Sequence, residues 1–438
     1  MKSFHFLLSI PRKSLKEAFF TIGGRLLSVF LVIASTKFLT TFLSEAEYGK
    51  LALYNVTATL PSTFFFAPLG QGIFRYYPIA QERNEFRVFN QQFNGLFRAG
   101  AAVTALLGLL TAIICLFKGN PDWAIACLLI ATLSIFNAVN TYRYGLQNAA
   151  RQRTIALGLE TGDRVLQQAL AIALLWFVTG DPLMALVGYT VSAVFFFFIN
   201  QYYYRRTFSE VPHHKADLQS NYNLNILHYA WPFCLFGIFT WLQTASDRWL
   251  LGLVQSIEAV GQYAVLNQIG FQSLTLLVGS ISYFLIPILY NRAGSLNRDG
   301  QFEGANRLNN WYLWFNVLLT GGLCLLFWLF GEGVIRLFST EKYVSVAGLL
   351  PIMALAGGLF NLGQTYSMRF MFGLQTKQLL YSKIGAAVIG VVLNYYAVSH
   401  YGILGLVWSS VLGQLIYLLL LISTWHFLFK DYPKPLSR

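Results

Sequence analysis

Apolar residues in this chain gather into runs of about 18 to 28, with short polar stretches between them. A run of that length with few charges can cross a bilayer as an α-helix, whereas a soluble helix shows an apolar stripe and a strand an alternation. The pattern predicts twelve spans, near 18–41, 50–74, 92–117, 123–144, 154–178, 183–204, 226–251, 259–288, 308–330, 345–371, 378–398 and 403–428.

The polar exceptions inside these runs are ordered. In the fifth span, "TIALGLETGDRVLQQALAIALLWFV", Glu160, Asp163, Arg164, Gln167 and Gln168 fall at i, i+3, i+4, i+7 and i+8, which is one helix face. Further stripes are Asn137, Asn140 and Thr141; Asn267, Gln268, Gln272 and Thr275; and Asn361, Gln364 and Thr365. Arg25 and Lys37 interrupt the first span, Arg98 the third, and Asp247–Arg248 the end of the seventh. An ionisable side chain at the bilayer centre costs roughly 2.5–3.5 kcal/mol on insertion scales, so such faces line protein or water. Polar stripes can also glue helices together, and Glu160 with Arg164 can form an internally compensated pair. Four stripes together with Arg25, Lys37 and Arg98 favour a hydrated central cavity. Cations outnumber acids there, so the cavity should prefer an anion, for which the arginine fork is suited.

Composition changes the picture only in detail. Hydrophobic residues make up 56% of the 438 and charged residues 11%, and mean hydropathy is +0.53; all of this fits a membrane protein. The formal charge of +13 reads as topology and not as nucleic-acid binding. With the N-terminus inside, the inside segments hold nearly all Lys and Arg, while the outside ones hold Lys50, Lys118, Arg336 and Lys342. Cys115, Cys127, Cys234 and Cys324 all fall in spans and read as packing residues, with no metal pattern. His213–His214 reads as a solvated loop pair. No ATP-binding or zinc motif is present, and no cofactor is expected.

The chain repeats itself. "SEAEYGKLALYN" from Ser44 aligns with "SIEAVGQYAVLN" from Ser256 at an offset of 212, "NAVNTYRYGLQ" from Asn137 with "NLGQTYSMRFMFGLQ" from Asn361 at 224 to 228, and "LMALVG" from Leu183 with "ILGLVW" from Ile403 at 220. Six spans per half, entering the membrane in the same direction, give a parallel repeat, a plan found in transporters that rock two lobes about a midplane site. The predicted fold is an all-α polytopic membrane protein. About twelve transmembrane helices form two six-helix lobes, related by pseudo-twofold symmetry around a central cationic cavity. Residues 1–212 form the first lobe, 213–225 a cytoplasmic linker and 226–438 the second.

The stretches "EYGKLALYN" and "SDRWLLG…VGQYAVLN", the second span ending "PLGQGIFRYY", and the "GLQ" closing the fourth and tenth spans resemble the polysaccharide biosynthesis, or Wzx-type oligosaccharide flippase, family. That family lies within the multidrug/oligosaccharidyl-lipid/polysaccharide exporter superfamily. The resemblance implies translocation of an undecaprenyl-diphosphate-linked oligosaccharide from the cytoplasmic to the periplasmic leaflet of a bacterial inner membrane, for O-antigen, capsule or exopolysaccharide. Both termini would be cytoplasmic. Membrane lipids surround the protein, and a glycan polymerase and a chain-length regulator are candidate partners. Arg25, Lys37, Arg98, Arg164 and Arg248 become the candidate diphosphate ligands. Asn137, Asn140, Gln167, Asn267, Gln268, Gln272, Asn361 and Gln364 would receive the sugars, and Glu160, Asp163 and Asp247 are the candidates for ion coupling. Asp247–Arg248 match a charged position common late in the seventh span of such proteins, whereas the acids of multidrug exporters find no clear counterpart. A drug/cation antiporter of the same fold is the alternative. A membrane glycan polymerase or ligase is disfavoured by short outside loops such as "KGNPD" and "TGDP".

Overall fold

Spans two to twelve each find a helical counterpart in the computed structural model, which describes residues 30–31, 33–150, 152–208, 222–293, 299–372 and 376–429. Arg25, both terminal segments, His213–His214 and most of the 213–225 linker lie outside the described residues. Every described element is helical. In chain order these are α1 (33–42), α2 (Glu45–Pro61), a π-helical turn π1 (Ser62–Phe66), α3 (Ala67–Glu82), α4 (Phe86–Phe117), α5 (Pro121–Ala149), α6 (Arg153–Phe177) and α7 (Pro182–Phe208). They continue with α8 (Tyr222–Val254), α9 (Ile257–Leu266), a second π turn π2 (Asn267–Gln272), α10 (Ser273–Ala293), α11 (Asp299–Phe338), a 3-10 stretch (Glu341–Leu349), α12 (Leu350–Phe372) and α13 (Thr376–Phe429). Among the described residues, seven helical segments are long and apolar enough to cross a membrane by length and composition alone. Helix α6 is not among them, because Glu160, Asp163 and Arg164 crowd one part of it. The protein is an all-α polytopic membrane protein.

The breaks have local causes. Pro61, which donates no backbone N–H, closes α2 and opens into π1. Gly402 (φ 59°, ψ −138°) divides α13 into two antiparallel-capable arms at the short "SHYGI" connection, a backbone region that glycine enters without steric cost. The π2 turn falls on the polar stripe Asn267, Gln268 and Gln272.

The chain separates into two compact units. Of the described residues, those up to 31 and those within 58–234 form unit 1, and those within 33–57 and 235–429 form unit 2. Thus α2 passes from unit 2 to unit 1 near Thr57, and α8 passes from unit 1 to unit 2 near Cys234. The core of unit 1 is an aromatic column: Phe89, Phe93 and Phe97 at helical spacing on α4 meet Phe66 and Tyr142, with ring centroids 4.6 Å apart for Phe93–Tyr142 and 4.7 Å for Phe66–Phe97. In a lipid environment such rings hold helices together by close contact, since burial from lipid brings no hydrophobic gain.

In unit 2 the two copies of the first repeat meet each other. A Cβ on Gly49 of α2 would lie 2.1 Å from the Ile257 carbonyl oxygen, and one on Gly261 of α9 would lie 2.0 Å from that of Glu45. Gly49 and Gly261, like Glu45 and Ile257, are separated by the repeat offset of 212. The contact is therefore reciprocal, as across a twofold axis. Both helices open on the repeated serine. Ser44 and Glu47 form a capping box, with Ser44 N–H donating to the Glu47 carboxylate (2.7 Å) and Glu47 N–H to Ser44 Oγ (3.3 Å). Ser256 Oγ accepts from Ala259 N–H (3.2 Å).

Candidate functional site

The polar face of α6 packs within unit 1 against α5 and α7 and splits into a buried and an open part. Asp163 is buried, 6% exposed. Its Oδ1 accepts from Ser192 Oγ of α7 (3.0 Å) and from Gln167 Nε2 (3.2 Å), which also reaches Asn137 Oδ1 of α5 (3.3 Å). Asn140 Nδ2 donates to the Ala193 carbonyl (2.9 Å), and Gln147 Nε2 donates to Asn200 Oδ1 (3.1 Å). A carboxylate accepts through about four lone-pair positions; the two donors here are neutral, which leaves capacity for a proton or a small cation. The open part is Arg164 with Glu160, an i,i+4 pair at 3.0 Å whose side chains remain 46% and 33% exposed.

A second cluster stands in unit 2. Asp247 Oδ2 accepts from Tyr263 Oη (2.7 Å), and Oδ1 accepts from the Arg248 N–H (2.7 Å). The Arg248 guanidinium turns to Asn267 Oδ1 of π2 (2.7 Å) and to the Thr244 carbonyl (3.2 Å). Beside Asp247 lies a cavity of about 30 Å³, lined by Gln243, Asn394, Ser409, Ser410 and Gln414. It has room for one water-sized occupant. Gln243 Nε2 donates to Gln414 Oε1 (3.3 Å) and Ser409 Oγ to Asn394 Oδ1 (2.7 Å), while Gln243 Oε1 and Ser246 Oγ are buried without a hydrogen-bond partner. Unpaired oxygens beside a carboxylate suit a cation or a proton-carrying water.

Several sequence-predicted residues thus come together: Asn137, Gln167 and Asp163; Glu160 and Arg164; Arg248 and Asn267. Asn361 Nδ2 donates within α12 to the Gly357 carbonyl (2.8 Å) and across to Thr275 Oγ1 (3.3 Å). Gln268, Gln272 and Gln364 are half-buried, and Arg98 is exposed on α4. Lys37 has a different engagement: its Nζ donates to the backbone carbonyls of Arg336 (2.7 Å) and Ser339 at the C-terminal end of α11. A cation there satisfies carbonyls that the helix leaves open and complements its dipole.

Two buried cations escape sequence reasoning, because the Lys/Arg bias assigns them to inside segments. Arg143 of α5 is 8% exposed; it donates to the Phe197 carbonyl (2.9 Å) and to Gln201, and stacks 4.4 Å from the Phe197 ring centroid. Lys383 of α13 is 1% exposed. The signal that marks Arg143 is its place inside the repeated "NTYRYGLQ".

The polysaccharide biosynthesis protein family matches residues 3–291. No curated protein matches the chain in sequence. Among solved structures, the chain is similar to the lipid II flippase MurJ in an inward closed conformation, with TM-score 0.67 and 14% identity over 96% of this chain and 88% of that one. It is similar also to a multidrug resistance MATE family transporter of the MOP superfamily, both outward-facing (TM-score 0.64, 14% identity, 97% of each chain) and inward-facing (TM-score 0.61, 14% identity, 94% and 96%). At these identities the likeness is one of fold.

Proposed function

For a chain that belongs to the polysaccharide biosynthesis protein family, we propose the translocation of a lipid-diphosphate-linked oligosaccharide across a bacterial inner membrane. The cargo is an undecaprenyl-diphosphate glycan repeat, moved from the cytoplasmic to the periplasmic leaflet for O-antigen, capsule or exopolysaccharide. Both termini are cytoplasmic, and a glycan polymerase and a chain-length regulator are the proposed partners. The observation that carries this reading is the α6 face, where a half-exposed Arg164 stands on a membrane helix beside a buried amide network. Hydrocarbon does not accept an exposed guanidinium, so the face opens on water. The lipid tail stays in the bilayer, Arg98, Arg164, Arg248 and Arg25 meet the diphosphate, and the amides of Asn137, Asn140, Gln167, Asn267, Gln268, Gln272, Asn361 and Gln364 accept sugar hydroxyls. The cycle alternates access to these residues between the two faces of the membrane. Asp163 and Asp247, each held by neutral donors, couple the cycle to a proton or a monovalent cation, with Glu160 beside them.

Deletion of the gene in its native host tests the reading. Loss of a surface glycan together with accumulation of its lipid-linked repeat on the cytoplasmic leaflet is the expected result. An unchanged surface glycan with new sensitivity to organic cations would replace the flippase by a drug antiporter.

A further inference from the structure

Lys383 stands in the second turn of α13, inside unit 2, with its Nζ 4.6 Å from the Tyr417 ring centroid, 5.7 Å from that of Phe360 and 5.8 Å from that of Phe236. These rings come from the second arm of α13, from α12 and from α8. Among the described residues no carboxylate and no hydrogen-bond acceptor reaches the amine. Tyr417 fits against Gly363, where a Cβ would lie 2.8 Å from the ring, so the box closes tightly. Ring faces return only part of what an ammonium loses on leaving water. Charge on Lys383 is thereby tied to whether the box is open.

The repeat gives the box a counterpart. At the 220 offset that aligns Leu183 with Ile403, Lys383 falls on Asp163 and Tyr417 on Phe197. At the 224 offset that aligns Asn137 with Asn361, Phe360 falls on Phe136. Phe136 and Phe197 are themselves in contact, with ring centroids 5.1 Å apart. Each unit therefore holds one buried ionisable group at the same repeat position, an acid in unit 1 and a base in unit 2. On α13, Lys383 shares a face with Ala386, Gly390 and Asn394, all lining the polar cavity beside Asp247.

We propose that Lys383 is a proton-exchanging coupling residue of unit 2, on the face of α13 that lines the Asp247 cavity. The inference rests on the transporter reading above. When α8, α12 and α13 part, water reaches the amine, an N–H bond forms and the lysine carries the proton as an ammonium. When the box closes, the proton returns to water and the amine is left uncharged. From α8 the box is faced by Phe236, from α12 by Phe360, and from the second arm of α13 by Tyr417, whose hydroxyl is the only other titratable group among them. Asp247 is eleven residues from Phe236 along α8, about 16 Å of helix rise, and Arg369 nine residues from Phe360, about 13 Å.

The test reads accessibility and needs no substrate. Ala386→Cys, in a chain with its four native cysteines replaced, is labelled in lipid nanodiscs by methyl methanethiosulfonate across about pH 6 to 9. Dividing by the same cysteine in a Lys383→Met background removes the thiol's own titration. The ratio should rise as pH falls, by up to about tenfold per pH unit for one linked proton. Lys383→Arg, which keeps its charge, should label fast at every pH, and Tyr417→Phe should keep the wild-type profile. A flat ratio, an Arg variant with the wild-type profile, or a profile lost in Tyr417→Phe would each overturn the role of Lys383. Because no glycan enters the assay, a failed flippase reading leaves this result standing, and the reverse holds too.

Discussion

Replacing Gly261 by alanine places a methyl carbon 2.0 Å from the Glu45 carbonyl oxygen, and replacing Gly49 places one 2.1 Å from that of Ile257. Ordinary contact begins near 3.4 Å, so either methyl must force the α2–α9 crossing apart by more than 1 Å. The obstacles are main-chain atoms of helices and cannot rotate away. Overpacking of this kind typically costs about 1–3 kcal/mol, occasionally more, and each kcal/mol lowers a melting temperature by about 2–4 °C in a unit of this size. Each single variant should therefore melt about 2–12 °C below wild type in a detergent-solubilised thermal shift assay. The reciprocal geometry adds a sharper expectation. One methyl already opens the crossing, so the second costs little, and the double variant should be far less destabilised than the sum of the singles. Singles that melt with the wild type, or a double variant whose loss is additive, would refute the helix crossing at this glycine pair.

Lys37→Met leaves the Arg336 and Ser339 carbonyls without their cation and should destabilise unit 2 by about 1.5–3 kcal/mol, read as a lower melting temperature with the α6 cluster unaffected. Single cysteines at Arg205 and Lys118, probed with an impermeant thiol reagent on intact cells, should label at 118 only, and the opposite pattern would invert the topology. The Glu160–Arg164 pair is half-exposed and contributes about 0.3–0.5 kcal/mol as a structural link, so Arg164→Ala should leave folding intact while glycan export falls. Exchanging the two residues moves the cation by about one turn, roughly 6 Å, and should not restore export; wild-type export by the exchange would assign Arg164 to structure alone.

The spans were legible because lipid admits only helices and closed barrels, and an unbroken apolar run of about 20 residues lacks the alternation of a barrel strand. Even the break at Gly402 shows as a short polar gap. The α6 face was legible because its residues keep helical spacing, and the structure ties Asp163, Gln167 and Asn137 together as that spacing and the neighbouring stripe suggest. The engagement of Lys37 was not legible, since its acceptors lie about three hundred residues away in the chain. Lys383 was hidden for a different reason. A lysine near the end of a span counts as a topology signal whether it snorkels to water or turns inward, and only the rings of α8, α12 and the far arm of α13 decide which. The meeting of Gly49 with Gly261 lay in the sequence as a shared repeat position, but that two copies touch each other is a property of the fold.

Translocation of a lipid-linked glycan by the protein can be measured directly. Purified protein is reconstituted into liposomes carrying an undecaprenyl-diphosphate-linked oligosaccharide in the outer leaflet, and an impermeant glycosidase outside reports how much glycan has moved out of reach. The protected fraction should grow with time in the presence of the protein and fall toward that of protein-free liposomes with Arg164→Ala. Protection no greater than in empty liposomes, alongside uptake of a fluorescent organic cation driven by an imposed pH gradient, would contradict the flippase reading.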